Sequence, residues 1–359
     1  MFANAYHQRR ILITGNTGFK GSWLTYWLEQ LGAKVFGYAK DFPTKVNHYQ
    51  LLKLDASQKM GDVLDTSKLT AYIKKIQPDL IFHLAAQPLV LRSYENPLET
   101  FLTNAIGTAS ILEAVRKSKG VKAVVNITTD KVYQNLETGQ DFMEDDPLGG
   151  FDPYSASKAC SEIVTASYRS AFFALKDAPN PVAIATARSG NVIGGGDWAD
   201  NRLLPDLVRA QITQTTLSIR NPASTRPWQH VLEPLSGYLW LGVKLLSAKQ
   251  DFSSAWNFGS DSSQEISVKQ VVTDFKKIWP GLKVKLNQPI NFHEAGRLKL
   301  NSTKAEKKLG WKNVWSYQTA LDRTVKWYQA FYKSGTLATQ QDLEQYIEDA
   351  NQLKMKWAQ

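Results

Sequence analysis

The chain has 359 residues, enough to bury a large core and to form two domains or one domain with a cap. Its 43% hydrophobic and 21% charged content is that of an ordered globular protein and excludes extended disorder. The formal charge of +10 comes from scattered lysines and arginines, in pairs such as Lys74-Lys75, Lys276-Lys277 and Lys307-Lys308, with no arginine-rich or aromatic-interleaved tract; this argues against nucleic acid and for small polyanionic ligands.

In chain order, the first apolar strand, Ile11–Thr14, comes too early and is too short for a secretory leader. No later segment approaches the roughly 20 apolar residues of a membrane span, so the expectation is a cytoplasmic protein without membrane attachment. The strand runs into Gly15-Asn16-Thr17-Gly18-Phe19-Lys20-Gly21, and then Trp23, Leu24, Trp27, Leu28 and Leu31 recur at helical spacing. A glycine loop between strand and helix is the signature of a dinucleotide site: Gly15 makes the turn, Gly18 admits a pyrophosphate to the backbone amides, and Gly21 allows close helix–strand packing. Thr17, Phe19 and Lys20 belong to the same cradle.

A second strand, Lys34–Tyr38, ends at Ala39-Lys40-Asp41, where an acidic residue normally selects the free 2′-hydroxyl of NAD. The acid is absent or displaced to Asp41, and Lys20 and Lys40 could suit a 2′-phosphate or equally face solvent, so the residues alone leave the choice between NAD and NADP open. Asp62, with Val63 after a third strand, is placed to accept from the adenine amine, or else to cap a turn. Further strands fall at Leu80–Ala85, Val121–Ile127 and Val182–Ala187, interleaved with amphipathic segments: the pattern of a doubly wound parallel α/β sheet with a second, smaller mixed α/β domain.

Two sets of residues at strand ends carry chemistry. Thr128-Thr129-Asp130-Lys131 follows the fifth strand, and Tyr154 and Lys158 lie four apart, on one face of a helix. A nearby ammonium lowers a phenol's pKa, so the tyrosine can take a carbinol proton while hydride leaves for a nicotinamide. The single cysteine, Cys160, excludes an internal disulfide and is expected as a small core residue. Five histidines, none at metal-ligand spacing with another, predict no metal site; His83 and His230 read as structural.

After Arg188 the texture changes to the glycine-rich stretch Ser189–Asp200, and apolar Val231–Leu246 reads as a helix returning to the first domain. This places residues 1–187, with roughly 228–260, in a dinucleotide-binding domain and 188–227 with 261–359 in a substrate domain.

Across nearly its whole length the chain resembles the extended short-chain dehydrogenases/reductases that modify nucleotide sugars. The resemblance rests on the glycine loop, Asp62, His83-Leu84-Ala85-Ala86, Asn104, the Thr129/Tyr154/Lys158 set, and Arg188 with Asn191. Longer strings resemble the CDP-glucose 4,6-dehydratases: Gly18 to Leu24, Ala85-Ala86-Gln87-Pro88-Leu89-Val90, Thr129-Asp130-Lys131, Gly190 to Trp198, Arg226 to Pro234, and His293-Glu294-Ala295.

What the resemblance implies is an internal redox cycle that dehydrates a nucleotide-diphosphate hexose. Tyr154, Lys158 and Thr129 would serve oxidation at carbon 4, Asp130 would be the acid for the departing 6-hydroxyl, and Lys131 the base at carbon 5. Leu84, Ala85, Ala86 and Asn104 would complete the cofactor site, and Gln87, Asn191, Arg202, Arg226 and His293 the substrate site. The resemblance also implies a homodimer, or a tetramer built from it, with Leu98–Lys117 and Pro153–Phe173 at the interface, and a place in making deoxyhexoses of bacterial cell-surface polysaccharides such as O-antigen. A 4-epimerase or reductase, a dehydratase of a dTDP- or GDP-linked hexose, and a non-catalytic dinucleotide sensor are the competing readings; Asp130-Lys131 argues for dehydration and the intact tyrosine against the sensor.

Overall fold

The computed structural model describes residues 1–174, 181–219, 221–247, 250–260, 265–286 and 297–359. Seven strands form the main sheet: β1 (Arg10–Thr14), β2 (Lys34–Ala39), β3 (Ser57–Met60), β4 (Leu80–His83), β5 (Ala123–Ile127), β6 (Ala183–Ser189) and β7 (Ala255–Phe258). They are all parallel, in the order β7-β6-β5-β4-β1-β2-β3. The sheet grows outward from β1 to β3, then restarts beside β1 with β4 and grows the other way; this reversal opens a crevice at the carboxyl ends of β1 and β4. The pairings Thr14 to His83, His83 to Asn126 and Ile127 to Ala187 bring those ends flush, so Gly15, Leu84 and Thr128 leave the sheet on one edge.

Both faces of the sheet are buried, which is why its central strands read as apolar runs instead of alternating. Ile11 and Ile13 point into one core with Trp23, Leu24, Trp27 and Leu28 of α1 (Phe19–Gln30) and Leu232, Leu235 and Leu239 of the returning helix Leu232–Leu246. Leu12 points the other way, against Leu69 and Ile73 of α2 (Thr66–Ile76) and Ile111, Leu112 and Val115 of α3 (Gly107–Arg116). A separate core joins α5 (Leu203–Thr213), Val268–Ile278 and Tyr317–Ser334 around Trp228, Phe275 and Trp327. The helix between, α4 (Pro153–Tyr168), starts on an Asp152 cap whose side chain accepts from Ser155 N.

Three expectations need correction. The Leu80–Ala85 strand stops at His83, because Leu84 N turns to Thr14 O (3.0 Å) and Ala85 N to Thr14 Oγ1 (3.3 Å), carrying the chain over the end of β1. Cys160 is half-exposed on α4, not a core residue. The tail does not belong wholly to the second unit: Leu309, Trp311, Trp315, Leu343, Tyr346 and Trp357 pack into the first core, because large aromatic side chains from Thr339–Gln352 and beyond fill space left against α1. Trp357 is fully buried, stacked on Phe2 (5.3 Å between centroids) and Tyr346 (5.7 Å), and meets Trp27 edge-on (5.7 Å).

Trp357→Ala should therefore cost about 3–5 kcal/mol, as truncation of a buried aromatic does. A urea midpoint unchanged from the native protein would show that the tail does not support the first core.

Candidate active site

The glycine loop is built for close approach. Gly15 has φ +71°, and a Cβ on it would lie 2.7 Å from Ala85 N, while a Cβ on Gly21 would lie 2.3 Å from Gly15 O. Neither position tolerates a side chain, so the loop lies tight against β4 and the start of α1, with Gly18 at that helix's N-cap and its backbone free of bulk. That cradle fits a dinucleotide pyrophosphate. Thr17 Oγ1 donates to Asp41 O (2.7 Å), tying the loop to the end of β2.

The loop forms one end of an open cleft of about 1050 Å³. Gly15, Thr17, Gly18, Phe19, Lys20, Gly21, Asp62, Val63, Leu84, Ala85, Ala86 and Gln87 line it, followed by Thr129, Asp130, Lys131, Tyr154 and Lys158, and then by Asn191, Arg202 and Arg226. The structure thus brings nearly all the sequence-derived residues into one space. Asn104 stands behind the wall instead: its amide receives Gln87 N (2.9 Å) and donates to Gln87 O (3.1 Å) and Ser157 Oγ (2.9 Å), bracing the Gln87 loop against α4. Gln87 likewise turns its amide onto its own loop, donating to Leu89 O and Thr100 Oγ1 and accepting from Leu89 N. His293 lies outside the described residues.

Near β2, Asp62 Oδ1 accepts from Leu64 N (2.9 Å) and Oδ2 pairs with Lys40 (3.3 Å). Asp62 therefore closes its turn and also draws Lys40 to itself. Lys20, the other lysine considered for a 2′-phosphate, points elsewhere. It donates to Ser189 Oγ (2.8 Å) at the end of β6, and burial, then Arg202 and Lys158, push its pKa down to about 7 while Asp130 pulls it up. Part of its side chain still meets solvent in the cleft. Ser189, which also accepts from Tyr238 (2.8 Å), and Tyr238 were not legible as site residues; only the position of Ser189 at a strand end hinted at it.

At the chemical end, Tyr154 is 9% exposed and Asp130 1%. Lys158 Nζ donates to Ile127 O (3.0 Å), which fixes α4 against the end of β5. Burial pushes Tyr154 up to about 12, the Thr129 hydroxyl and Arg202 work to lower it, and Asp130 raises it. Burial also pushes Lys158 down to about 8, against the pull of Glu162. Asp130 is raised by burial, against Lys131, Thr129, Arg226 and Lys20, and its Oδ2 meets no hydrogen-bond donor among the described residues. A carboxyl in that state favours its protonated, donating form. Thr129 Oγ1 donates to Asp130 Oδ1 (2.9 Å), and the same hydroxyl works to lower the pKa of the Tyr154 phenol.

Arg202, beside the start of α5, pairs with Asp197 (2.9 Å), and buried Arg226 donates to Thr225 O (2.7 Å). Asn191 gives its carbonyl to Gln229 N (3.2 Å). His83 and His230 are buried; His83 meets Thr14 Oγ1 (2.7 Å) and His230 packs edge-on against Trp315. Among the described residues no group of three or more His, Cys, Asp or Glu side chains is placed to hold a metal ion, and no helix is long and apolar enough to cross a membrane.

The GDP-mannose 4,6 dehydratase family model matches residues 12–324, which spans the cleft and both of its walls. The chain belongs to that family. A CDP-glucose 4,6-dehydratase from Salmonella typhimurium (strain LT2) is 44% identical over 92% of this chain and 93% of its own. Among solved structures, an epimerase from Methanothermobacter thermautotrophicus superposes with a TM-score of 0.80, at 24% identity over 92% of this chain and 95% of that one. A dTDP-glucose 4,6-dehydratase from Streptomyces venezuelae, solved with NAD and TYD bound, gives 0.75 at 24% identity over 89% and 97%. The structural likenesses show the doubly wound fold shared by these dehydratases and epimerases.

Gly21→Ala places a methyl against Gly15 O, and should lower dinucleotide affinity by at least about tenfold, equivalent to roughly 1.4 kcal/mol, with the native circular dichroism retained. Titration calorimetry giving the native affinity would remove the loop from the cofactor site.

Proposed function

We propose that this chain is a CDP-glucose 4,6-dehydratase: it removes water from the nucleotide-activated hexose to give the 4-keto-6-deoxy sugar, with NAD reduced and reoxidised within one turnover. The observation that carries this reading is the meeting of Tyr154, Thr129 and Lys158 with Asp130 and Lys131 in the cleft that begins at the glycine loop. A redox pair alone would serve an epimerase; a buried acid and a second amine beside it suit elimination. The pairing of Lys40 with Asp62 and the turning of Lys20 toward Ser189 favour NAD over NADP, since neither lysine is committed to a 2′-phosphate.

Tyr154 takes the proton of the 4-hydroxyl as carbon 4 is oxidised. When bound, the dinucleotide supplies the acceptor for the carbon 4 hydride, its later donor to carbon 6, and a positive charge on the oxidised ring. The new ketone acidifies the carbon 5 proton, which Lys131 removes while Asp130 protonates the 6-hydroxyl and water departs. The carbon 5 proton returns from Lys131. The proton that Tyr154 gathers from the 4-hydroxyl restores the acid on Asp130, whose Oδ1 accepts from the Thr129 hydroxyl (2.9 Å). Arg226, Arg202 and Asn191 face the diphosphate, where arginine can pair with phosphate oxygens bidentately.

We assign a homodimer to the paired helices of α4 and the segment 97–116. Leu98, Ile106 and Ile163 are 71%, 52% and 57% exposed, with Leu102 and Phe172 beside them, an apolar surface of the kind that self-association covers. The single half-exposed thiol suits a cytoplasmic location.

Purified protein given CDP-glucose should yield a 4-keto-6-deoxy product, read by its ultraviolet chromophore in alkali; a 4-epimer instead would favour the epimerase, and product only from a dTDP- or GDP-linked hexose would change the substrate. Lys131→Met should leave bound reduced nicotinamide detectable by absorbance while elimination stops, and Tyr154→Phe should lower kcat by about 10²–10⁴-fold. Full turnover by the Lys131 variant would take that residue out of the mechanism. Ile106→Asp should give a monomer in sedimentation velocity at micromolar concentration; a native protein that is itself monomeric there would refute the dimer.

A further inference from the structure

Glu162 follows Lys158 by four residues on α4, so Tyr154, Lys158 and Glu162 succeed one another along one helix face. Glu162 does not line the cleft, and neither do Arg188 and Tyr133. Yet its carboxylate accepts four hydrogen bonds beneath it. Oε1 accepts from Thr128 Oγ1 (2.5 Å) and Arg188 Nε (2.9 Å), and Oε2 accepts from Thr186 Oγ1 (2.6 Å) and Arg188 Nη2 (2.9 Å). Both side chains of the pair are 3% exposed. Arg188 Nη1 then donates to Tyr133 Oη (2.6 Å) and Glu144 O (3.0 Å), and Tyr133 Oη donates to Asn257 Oδ1 (2.7 Å) on β7.

A buried ion pair is a poor way to gain stability, because desolvation cancels most of the attraction and apolar replacements often do as well. What this one does supply is direction. Thr128 stands before Asp130-Lys131 and Tyr133 stands after it, and the same pair grips both: the carboxylate takes the Thr128 hydroxyl, the guanidinium gives to the Tyr133 oxygen. Tyr133 is further fixed by stacking on Phe142 (4.8 Å, 11°) and by the guanidinium over its ring (4.9 Å). The turn between, Asp130–Val132, is short and has its first residue capped by Thr129 Oγ1, which accepts from Lys131 N (3.4 Å).

We propose that the Glu162–Arg188 pair is the positioning element for the elimination half of the reaction: by holding Thr128 and Tyr133 it sets Asp130 and Lys131 against the sugar whose 4-hydroxyl is deprotonated by Tyr154, on the same helix as Glu162. The inference rests on the dehydratase reading above. One helix face then positions the tyrosine that takes the 4-hydroxyl proton directly and the eliminating acid and base through the ion pair, so loosening either flank of the turn uncouples the two halves.

The test uses the holoenzyme and two variants that each delete one hydroxyl, Thr128→Val and Tyr133→Phe, with Thr128→Ser as the conservative control that keeps the hydroxyl. On addition of CDP-glucose, both deletion variants should form reduced nicotinamide to the native amplitude and hold it, while the 4-keto-6-deoxy product forms about a hundredfold more slowly, the scale expected from a displacement of roughly 1 Å. Thr128→Ser should restore product formation to within about threefold of native. The proposal is overturned if oxidation and product formation fall in proportion with the thermal midpoint, which would make the pair a stability element alone, or if product formation stays within about threefold of native in both deletion variants. It is also overturned if Thr128→Ser fails to rescue. Native protein that yields no 4-keto product from any nucleotide hexose would instead strike the dehydratase reading, and the proposal with it.

Discussion

Water has been largely withdrawn from the carboxyl ends of β5 and β6, and charges persist there only where an opposite charge or a donor meets them. Glu162 shows the satisfied case: burial pushes its pKa up, but Arg188 and the Thr128 and Thr186 hydroxyls more than offset this and hold it below the ordinary carboxylate value. Asp130, two residues after the Thr128 that Glu162 holds, shows the opposite. It faces cations at longer range and keeps one oxygen without a donor, so it is held toward its neutral form. Two acids of similar burial thus take opposite protonation preferences because one has four donors and the other does not, and a site that must both fix a turn and donate a proton needs both kinds.

The same withdrawal of water explains the amines. Lys158 loses basicity on burial but keeps a carbonyl partner at Ile127, which fixes its direction as well as its charge. Lys20 is lowered first by burial as well, and its cationic neighbours Arg202 and Lys158 push it down further.

Much of this was legible in the sequence because it is local. A glycine loop between an apolar run and a helical repeat dictates its own geometry, and tyrosine and lysine four apart on a helix must share a face. What sequence could not give was direction at long range. Lys20 sits in the phosphate loop by position, but its side chain reaches Ser189, which is 169 residues later in the chain. Asn104 looks like a ligand contact, and instead stands behind the cleft wall, hydrogen-bonded to the Gln87 backbone and to Ser157. The strand β7 is only four residues long and its place beside β6 depends on tertiary pairing, so nothing local marked it. The tail was assigned to one unit because it follows the second core in sequence, whereas its aromatic residues are the right size for a gap in the first.

The stack of Phe2, Trp27, Tyr346 and Trp357 has a bearing on how the protein is made. Residues from near both ends of the sequence meet in one layer behind α1, so the nascent chain cannot complete that layer until residue 357 has cleared the ribosomal exit tunnel. Until then α1, which also carries the loop for the dinucleotide, presents an uncovered indole at Trp27 to chaperones and to other nascent chains. Synthesis therefore passes through an interval of roughly three hundred residues between Trp27 and the Trp357 that covers it.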